Sequence, residues 1–231
     1  KAVAKINGRE SIALVIDRIK RCKKVDHIIL ATTNEKIDDK LVKIALREGI
    51  EFYRGPTENV ALRYAEAAES FNLDHFVRIT GDAILCDNSM IDKAISSHLK
   101  SSCDVTFMKN MPFGTHKEIV STKTIKTIIE TASNPNNTEY LEYYLENNRN
   151  FSVNYISSEY KFNEKLRITL DYEEDLEFFN KIYNHFSKID PGFSLESAIH
   201  WLNKNEDVIK INANMTQKTP INLNLDVSLT I

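Results

Sequence analysis

Several features that would fix the class of this chain at once are scarce or missing. Cysteine is rare: Cys22, Cys86 and Cys103 are the only three in 231 residues. They are scattered, form no Cys-x-x-Cys pair, and the six histidines do not cluster. A disulfide-stapled scaffold and a zinc site of regular spacing are therefore excluded, and a reduced, cytoplasmic protein is expected. No apolar run approaches the roughly 20 residues needed to span a bilayer, so no membrane partner is expected. Neither sign of charge dominates: 30 basic and 33 acidic residues leave a net charge of −3, which argues against nucleic-acid binding. With six glycines and five prolines there is no low-complexity linker, and internal repeats are absent. The chain starts at Lys1 rather than at methionine, so the lack of a visible signal peptide decides nothing.

What is present is an alternation of helical and strand patterns. Ser11 to Lys24 places Ile12, Val15, Ile16 and Ile19 at helical spacing. His27 to Thr32 reads as an apolar strand, Asp38 to Glu48 as a helix closed by Gly49, and Ile50 to Tyr53 as a short strand. A third helix over Asn59 to Phe71 leads into the strand His75 to Ile79. A fourth helix begins at Asn88, and Asp104 to Phe107 is another strand. The rhythm breaks between Lys109 and Val120, around Pro112 and Gly114. Helices over Thr122 to Ala132 and Glu139 to Asn147, strands over Phe151 to Ser157 and Leu166 to Leu170, and helices over Leu176 to Phe186 and Leu195 to Lys204 complete the order. Such alternation predicts an α/β domain with a mostly parallel sheet covered on both faces. Residues 213–231 form a polar tail in which Ile221, Leu223, Leu225, Val227 and Leu229 alternate. It reads as an edge strand or the start of an extension.

Two segments carry chemistry. Arg78-Ile79-Thr80-Gly81-Asp82 ends an apolar strand on a glycine and a carboxylate, at the strand end where open α/β sheets bind ligands. Arg167-Ile168-Thr169-Leu170-Asp171 repeats the pattern before an acidic helix start. Aspartate is a hard oxygen ligand suited to Mg²⁺ held by one or two carboxylates plus phosphates, and two strand-end aspartates can meet at one metal. Taken singly, Asp82 reads equally well as a turn residue and Asp171 as a helix N-cap.

Five segments together resemble the cytidylyltransferases that activate acidic sugars, most nearly the branch typified by the spore-coat protein SpsF. They are Ile28 to Asn34, Arg54 to Tyr64, Arg78 to Asp82, Arg167 to Leu176 and Ile211 to Lys218, in family order. The resemblance implies a three-layer, Rossmann-like nucleotidyltransferase domain over residues 1–212. It implies that a sugar hydroxyl attacks the α-phosphate of CTP and releases pyrophosphate. It assigns Asp82 and Asp171 to Mg²⁺ and places Lys1 at the end of the family's triphosphate-binding loop; Arg78 and Arg167, which flank the aspartates in sequence, read as their supports. Thr32, Thr33, Asn34, Arg63, Thr80 and Gly81 fall on the nucleotide side; Arg63 reads equally as a solvated helix arginine. His116, Glu118, Glu139 and Tyr140 fall on the acceptor side, and the excursion from Lys109 to Ser157 resembles the region through which the family forms homodimers.

The family signature ends where this sequence starts, so about 20 upstream residues, including a central strand, are expected beyond the sequence given. The acceptor side departs from the family: His116 stands for an aspartate, and Thr138-Glu139-Tyr140-Leu141-Glu142 lacks the usual Arg and His. Ordinary drift in a loop and on a helix face accounts for these changes as well as an altered acceptor does. Two other readings stay open: a glycosyltransferase of similar fold, disfavoured by the lack of Asp-x-Asp at a strand end, and a non-catalytic binding or assembly domain.

Overall fold

The computed structural model describes residues 1–131, 138, 141–146 and 149–216. It opens with a small hairpin, β1 (Lys5–Ile6) and β2 (Arg9–Glu10). The two connecting residues, Asn7 and Gly8, both have positive φ, at 47° and 82°. This is the conformation that a two-residue hairpin demands and that Asn-Gly supplies at least cost. Helix α1 (Ser11–Ile19) follows directly and buries Ile12, Val15 and Ile16.

Strand β3 (Ile29–Thr33) lies parallel to β4 (Glu51–Gly55), joined through α2 (Asp39–Glu48). Gly49 ends α2 in the left-handed conformation, φ 65°, and donates back to the last carbonyls. Helix α3 (Val60–Ser70) is capped by Asn59, whose side chain accepts from the Leu62 amide at 2.9 Å. Strand β5 (His75–Arg78) then leads to a turn and to α4 (Asn88–Ser101), capped by Asp87 through the amides of Ser89 and Met90.

The larger sheet runs β5–β7–β6–β8, with β6 (Val105–Lys109), β7 (Glu118–Ser121) and β8 (Val153–Ser157). The α/β architecture expected from the alternation is present, and its ladders are mixed. β3 with β4 and β6 with β8 are parallel, while β7 runs antiparallel to both β5 and β6. The antiparallel strand comes from the stretch around Pro112 and Gly114, which turns the chain back on itself instead of crossing over through a helix. Helix α4 packs on β6 and β8, and α5 (Thr122–Thr131) on β7 and α3. Helices α6 (Leu141–Glu146), α7 (Glu173–Phe186), α8 (Leu195–Leu202) and α9 (Glu206–Ile209) complete the chain. One core joins α1, α4, α7 and α8 around Ile84, Phe178 and Phe179; a second lies between α3, α5, α6 and the sheet.

One expected element is absent. Leu166 to Leu170 is not a strand: only Arg167 forms an isolated parallel bridge, to Phe113, and the Ile168 amide donates to the Phe113 carbonyl at 2.8 Å. The segment is nevertheless buried, with Leu166, Ile168 and Leu170 all within 3 % exposure. Its neighbour is a loop that cannot ladder. Gly114, at φ 89°, presses so close that a Cβ there would lie 2.1 Å from the Ile168 oxygen. The alternating tail from Ile221 to Leu229 lies outside the described residues. Among the described residues no helix is long and apolar enough to cross a membrane.

Candidate active site

Asp82 sits four residues beyond the end of β5, in a turn closed by Ala83 N–H to the Thr80 carbonyl (3.1 Å) and Ile84 N–H to the Asp82 carbonyl (3.0 Å). The following residues, Ala83, Ile84, Leu85 and Cys86, are buried and anchor the turn in the core. The N-terminal segment packs beside Gly81, with Ile12 and Ala2 at ordinary contact distance, 3.5 and 3.7 Å, from where a Cβ would lie. That segment is itself docked, with the Lys1 carbonyl accepting from the Ala4 amide (2.8 Å) and the Ser11 hydroxyl (3.0 Å).

Thr169 joins the two aspartate segments. Its hydroxyl donates to Asp82 Oδ2 at 2.6 Å across 87 residues of sequence. Asp171, two residues on, pairs through Oδ1 with Lys1 Nζ and through Oδ2 with Arg167 Nη2, each at 2.6 Å. Lys1 and Asp171 are thus joined directly, and Asp82 is tied through Thr169 to the segment that carries Asp171. Asp171 does not stand at a strand end, however. It lies between the Arg167 bridge and the start of α7, where Asp175 rather than Asp171 accepts the first backbone amides.

Burial by itself would raise the Asp82 carboxyl, but hydrogen bonds from Thr169 and Thr80 and the charge of Lys117 outweigh it and hold the pKa below the ordinary value. Asp82 is therefore an ionised carboxylate at neutral pH. Among the described residues no group of three or more His, Cys, Asp or Glu side chains converges on a ready-made metal cage. Two carboxylates with oxygen donors do fit Mg²⁺, which takes the rest of its shell from phosphates and water.

On the nucleotide side, Thr32, Thr33, Arg63, Thr80 and Gly81 all border an open cleft of about 1350 Å³. Asn34 does not border it; its amide donates to the Gly55 carbonyl at 3.1 Å. The hydroxyls of Thr32 and Thr33 both donate to Asp38 Oδ2, at 3.0 and 2.5 Å, and Arg54 ties the turn down through the carbonyls of Thr33 and Glu35. These threonines shape the turn. Arg63 donates to the Pro56 carbonyl at 2.9 Å, while its buried Nε has no acceptor among the described residues. The cleft runs well beyond this polar mouth, along the whole of β3 on one wall and β5 on the other, over apolar residues of α1, α3 and α4.

On the acceptor side the residues separate. His116 is exposed; its own partial desolvation, with Lys117 and Lys109 nearby, pushes its pKa down. Glu118 is buried and faces Arg78 across the β5–β7 ladder at 2.5 Å, so its carboxylate is committed within the protein. Arg78 also reaches Glu142 at 3.3 Å. Glu139 and Tyr140 lie outside the described residues. Sequence reasoning missed Thr169, Lys117 and Asp175. The shared Arg-Ile-Thr of the two aspartate segments was a usable signal for Thr169. Lys117, a buried cation whose Nζ donates to the His116 and Gly114 carbonyls at 2.6 and 3.2 Å, had none.

A family model described as cytidylyltransferase matches residues 1–208. The chain is 30 % identical over 221 residues to a Methanocaldococcus jannaschii protein named uncharacterized protein MJ1063, covering 95 % of this chain and 90 % of that one. It is 24 % identical to the spore coat polysaccharide biosynthesis protein SpsF of Bacillus subtilis, covering 90 % and 89 %. Among solved structures it is similar to a cytidylyltransferase from Leptospira borgpetersenii, with TM-score 0.84, 25 % identity, and 95 % and 92 % of the two chains covered.

Proposed function

Since the chain belongs to the cytidylyltransferase family and is a nucleotidyltransferase, we propose that it passes CMP from CTP to an acidic sugar for surface-glycan synthesis, in the cytoplasm. The sugar hydroxyl oxygen bonds to the α-phosphorus, the bond to the bridging oxygen breaks, pyrophosphate leaves, and the hydroxyl proton passes to water. The observation that supports this reading is the direct pairing of Lys1 with Asp171, 170 residues apart, beside the Thr169 bond that ties Asp82 to the same segment.

Each group has a part in that chemistry. Asp82 and Asp171 would hold Mg²⁺, which when bound supplies Lewis-acid and template charge to the phosphates. Lys1, with its side chain about half exposed, is placed to exchange its Asp171 partner for a phosphate oxygen. Thr169 keeps Asp82 oriented and ionised. Arg63, which borders the cleft, would turn its guanidinium to the nucleotide. His116 faces the acceptor, and Glu118 acts behind it by fixing Arg78. Positioning and preorganised charge supply most of the rate in such transfers.

The test is pyrophosphate release from CTP with a panel of nonulosonic and octulosonic acids. Asp171→Asn keeps the shape and removes a charge, and should lower turnover by roughly 10²-fold or more. Near-normal turnover with unchanged Mg²⁺ dependence would remove Asp171 from the mechanism, and turnover of neutral sugars alone would overturn the acceptor. A homodimer is part of the same reading. Its support is the edge of β8, unpaired on its outer side among the described residues, beside which exposed Tyr155 stacks on Phe107 at 6.0 Å beneath the Lys109 ammonium. Light scattering that finds a monomer at micromolar concentration sinks it.

A further inference from the structure

The closing motif around Asn212 lies beyond the residues that the family model matches, and the transfer chemistry above gives it no role. The structure places its side chain behind the metal-side carboxylate. Asn212 is wholly buried in the turn after α9. Its Nδ2 donates to Asp175 Oδ1 at 2.8 Å and to the Arg167 carbonyl at 3.1 Å.

Asp175, also wholly buried, is saturated. It accepts from Arg167 Nε (3.0 Å) and Nη2 (3.3 Å), from the backbone amides of Asp171 (2.8 Å) and Tyr172 (3.0 Å), and from Asn212. No lone pair of such a carboxylate is left for a substrate. What it fixes is Asp171: the backbone through the Asp171 amide, and the side chain through Arg167, whose Nη2 grips Asp171 Oδ2. That leaves Oδ1 directed at Lys1.

We propose that Asn212 and Asp175 are positioning residues that hold Arg167 away from a full pairing with Asp171. Arg167 divides its charge between two carboxylates. While Asn212 keeps Asp175 in place, Asp171 retains negative charge for a divalent cation. When Asp175 loosens, Arg167 turns its whole charge on Asp171 and competes with the cation. The inference deepens the proposed function and rests on Asp171 as a metal ligand. It makes the segment after α9 part of the active centre.

The test uses the whole protein, with Mn²⁺ as probe. Mn²⁺ binding in the presence of CTP is read by electron paramagnetic resonance, and CTP binding in EDTA by calorimetry. Asn212→Ala should weaken Mn²⁺ about 10-fold, at the lower end of the loss typical when a ligand's support is removed, and leave metal-free CTP binding within about twofold. The variant should fold, because it also deletes the Asn212 Oδ1, a buried acceptor with no partner among the described residues. Asn212→Asp sets an acceptor against Asp175 and should cost more than Asn212→Ala. Unchanged Mn²⁺ affinity in both variants, with only a lower Tm, overturns the proposal and leaves Asn212 a packing residue. A wild-type protein that binds CTP but no Mn²⁺ overturns the metal reading, and this proposal with it.

Discussion

Replacing Thr169 by valine tests the contact on which the site depends. The two side chains have nearly the same shape, so what is lost is the hydroxyl that donates to Asp82 Oδ2 at 2.6 Å. Thr169 is 4 % exposed, so water cannot take over the bond. A hydrogen bond to a charged group contributes about 1.5–3 kcal/mol. Without it, burial acts on Asp82 against Thr80, Lys117 and the carboxylate's own backbone hydrogen bond, and the carboxyl protonates at a higher pH than in the wild type. The sign follows: a depressed carboxyl stabilises the folded state above its unfolded pKa, and that stability is lost as pH falls through the folded pKa. The gap between wild type and Thr169→Val should therefore be widest at neutral pH and close under acid. A double-mutant cycle of Thr169→Val with Asp82→Asn, read by urea denaturation at neutral pH, should give a coupling energy in that 1.5–3 kcal/mol range. Pyrophosphate release should fall by about 10- to 10²-fold, since a carboxylate that holds metal loses its orienting partner. A coupling below about 0.5 kcal/mol is the additivity expected of unconnected sites and would refute the reasoning.

Two further outcomes are expected. His116→Ala should weaken acceptor use more than CTP binding, because it removes an exposed hydrogen-bonding group on the acceptor side; equal losses in the two titrations would return His116 to a structural role. His98 is buried, hydrogen-bonded to Thr106 at 2.9 Å and to His75 at 3.0 Å, and desolvation followed by the neighbouring His75 takes its pKa down to about 4. Between that value and the ordinary 6.5 the unfolded chain binds a proton that the folded one refuses, so stability should fall by up to about 3 kcal/mol as pH drops through this window. His98→Asn should flatten that slope in denaturant titrations, and an unchanged slope would show that His98 does not titrate as argued.

The sequence carried the local features of this molecule well. Gly49 at the end of α2, Asn59 at the start of α3 and the glycine-aspartate turn after β5 all follow from backbone and capping chemistry within a few residues. The Asn7-Gly8 hairpin carried the same kind of local signal, but the sequence reading, which begins its elements at Ser11, passed over it. What it did not carry was pairing over distance. Leu166 to Leu170 has the composition of a strand, yet its neighbour is the Pro112–Gly114 loop, and no local pattern reveals which segment will lie alongside. Glu118 looks like an available carboxylate until the β5–β7 register sets it opposite Arg78, 40 residues away. Thr32 and Thr33 border the cleft, but that both hydroxyls donate to the Asp38 carboxylate was not legible either.

The separation of the two sheets has a further consequence. Among the described residues, β3 is laddered only to β4 and β5 only to β7, and their other edges face each other across the cleft. Each such edge is a row of amide and carbonyl groups that seeks a partner. An extended segment lying there would be hydrogen-bonded along both sides at once, twice what a strand gains at an ordinary sheet margin, and the helices beneath it would bury its side chains. The cleft is therefore flanked by two strand edges that can each pair with an extended polypeptide. Whatever fills it welds two half-sheets into one and sets how rigidly the Thr32–Thr33 turn is held against the Asp82 turn.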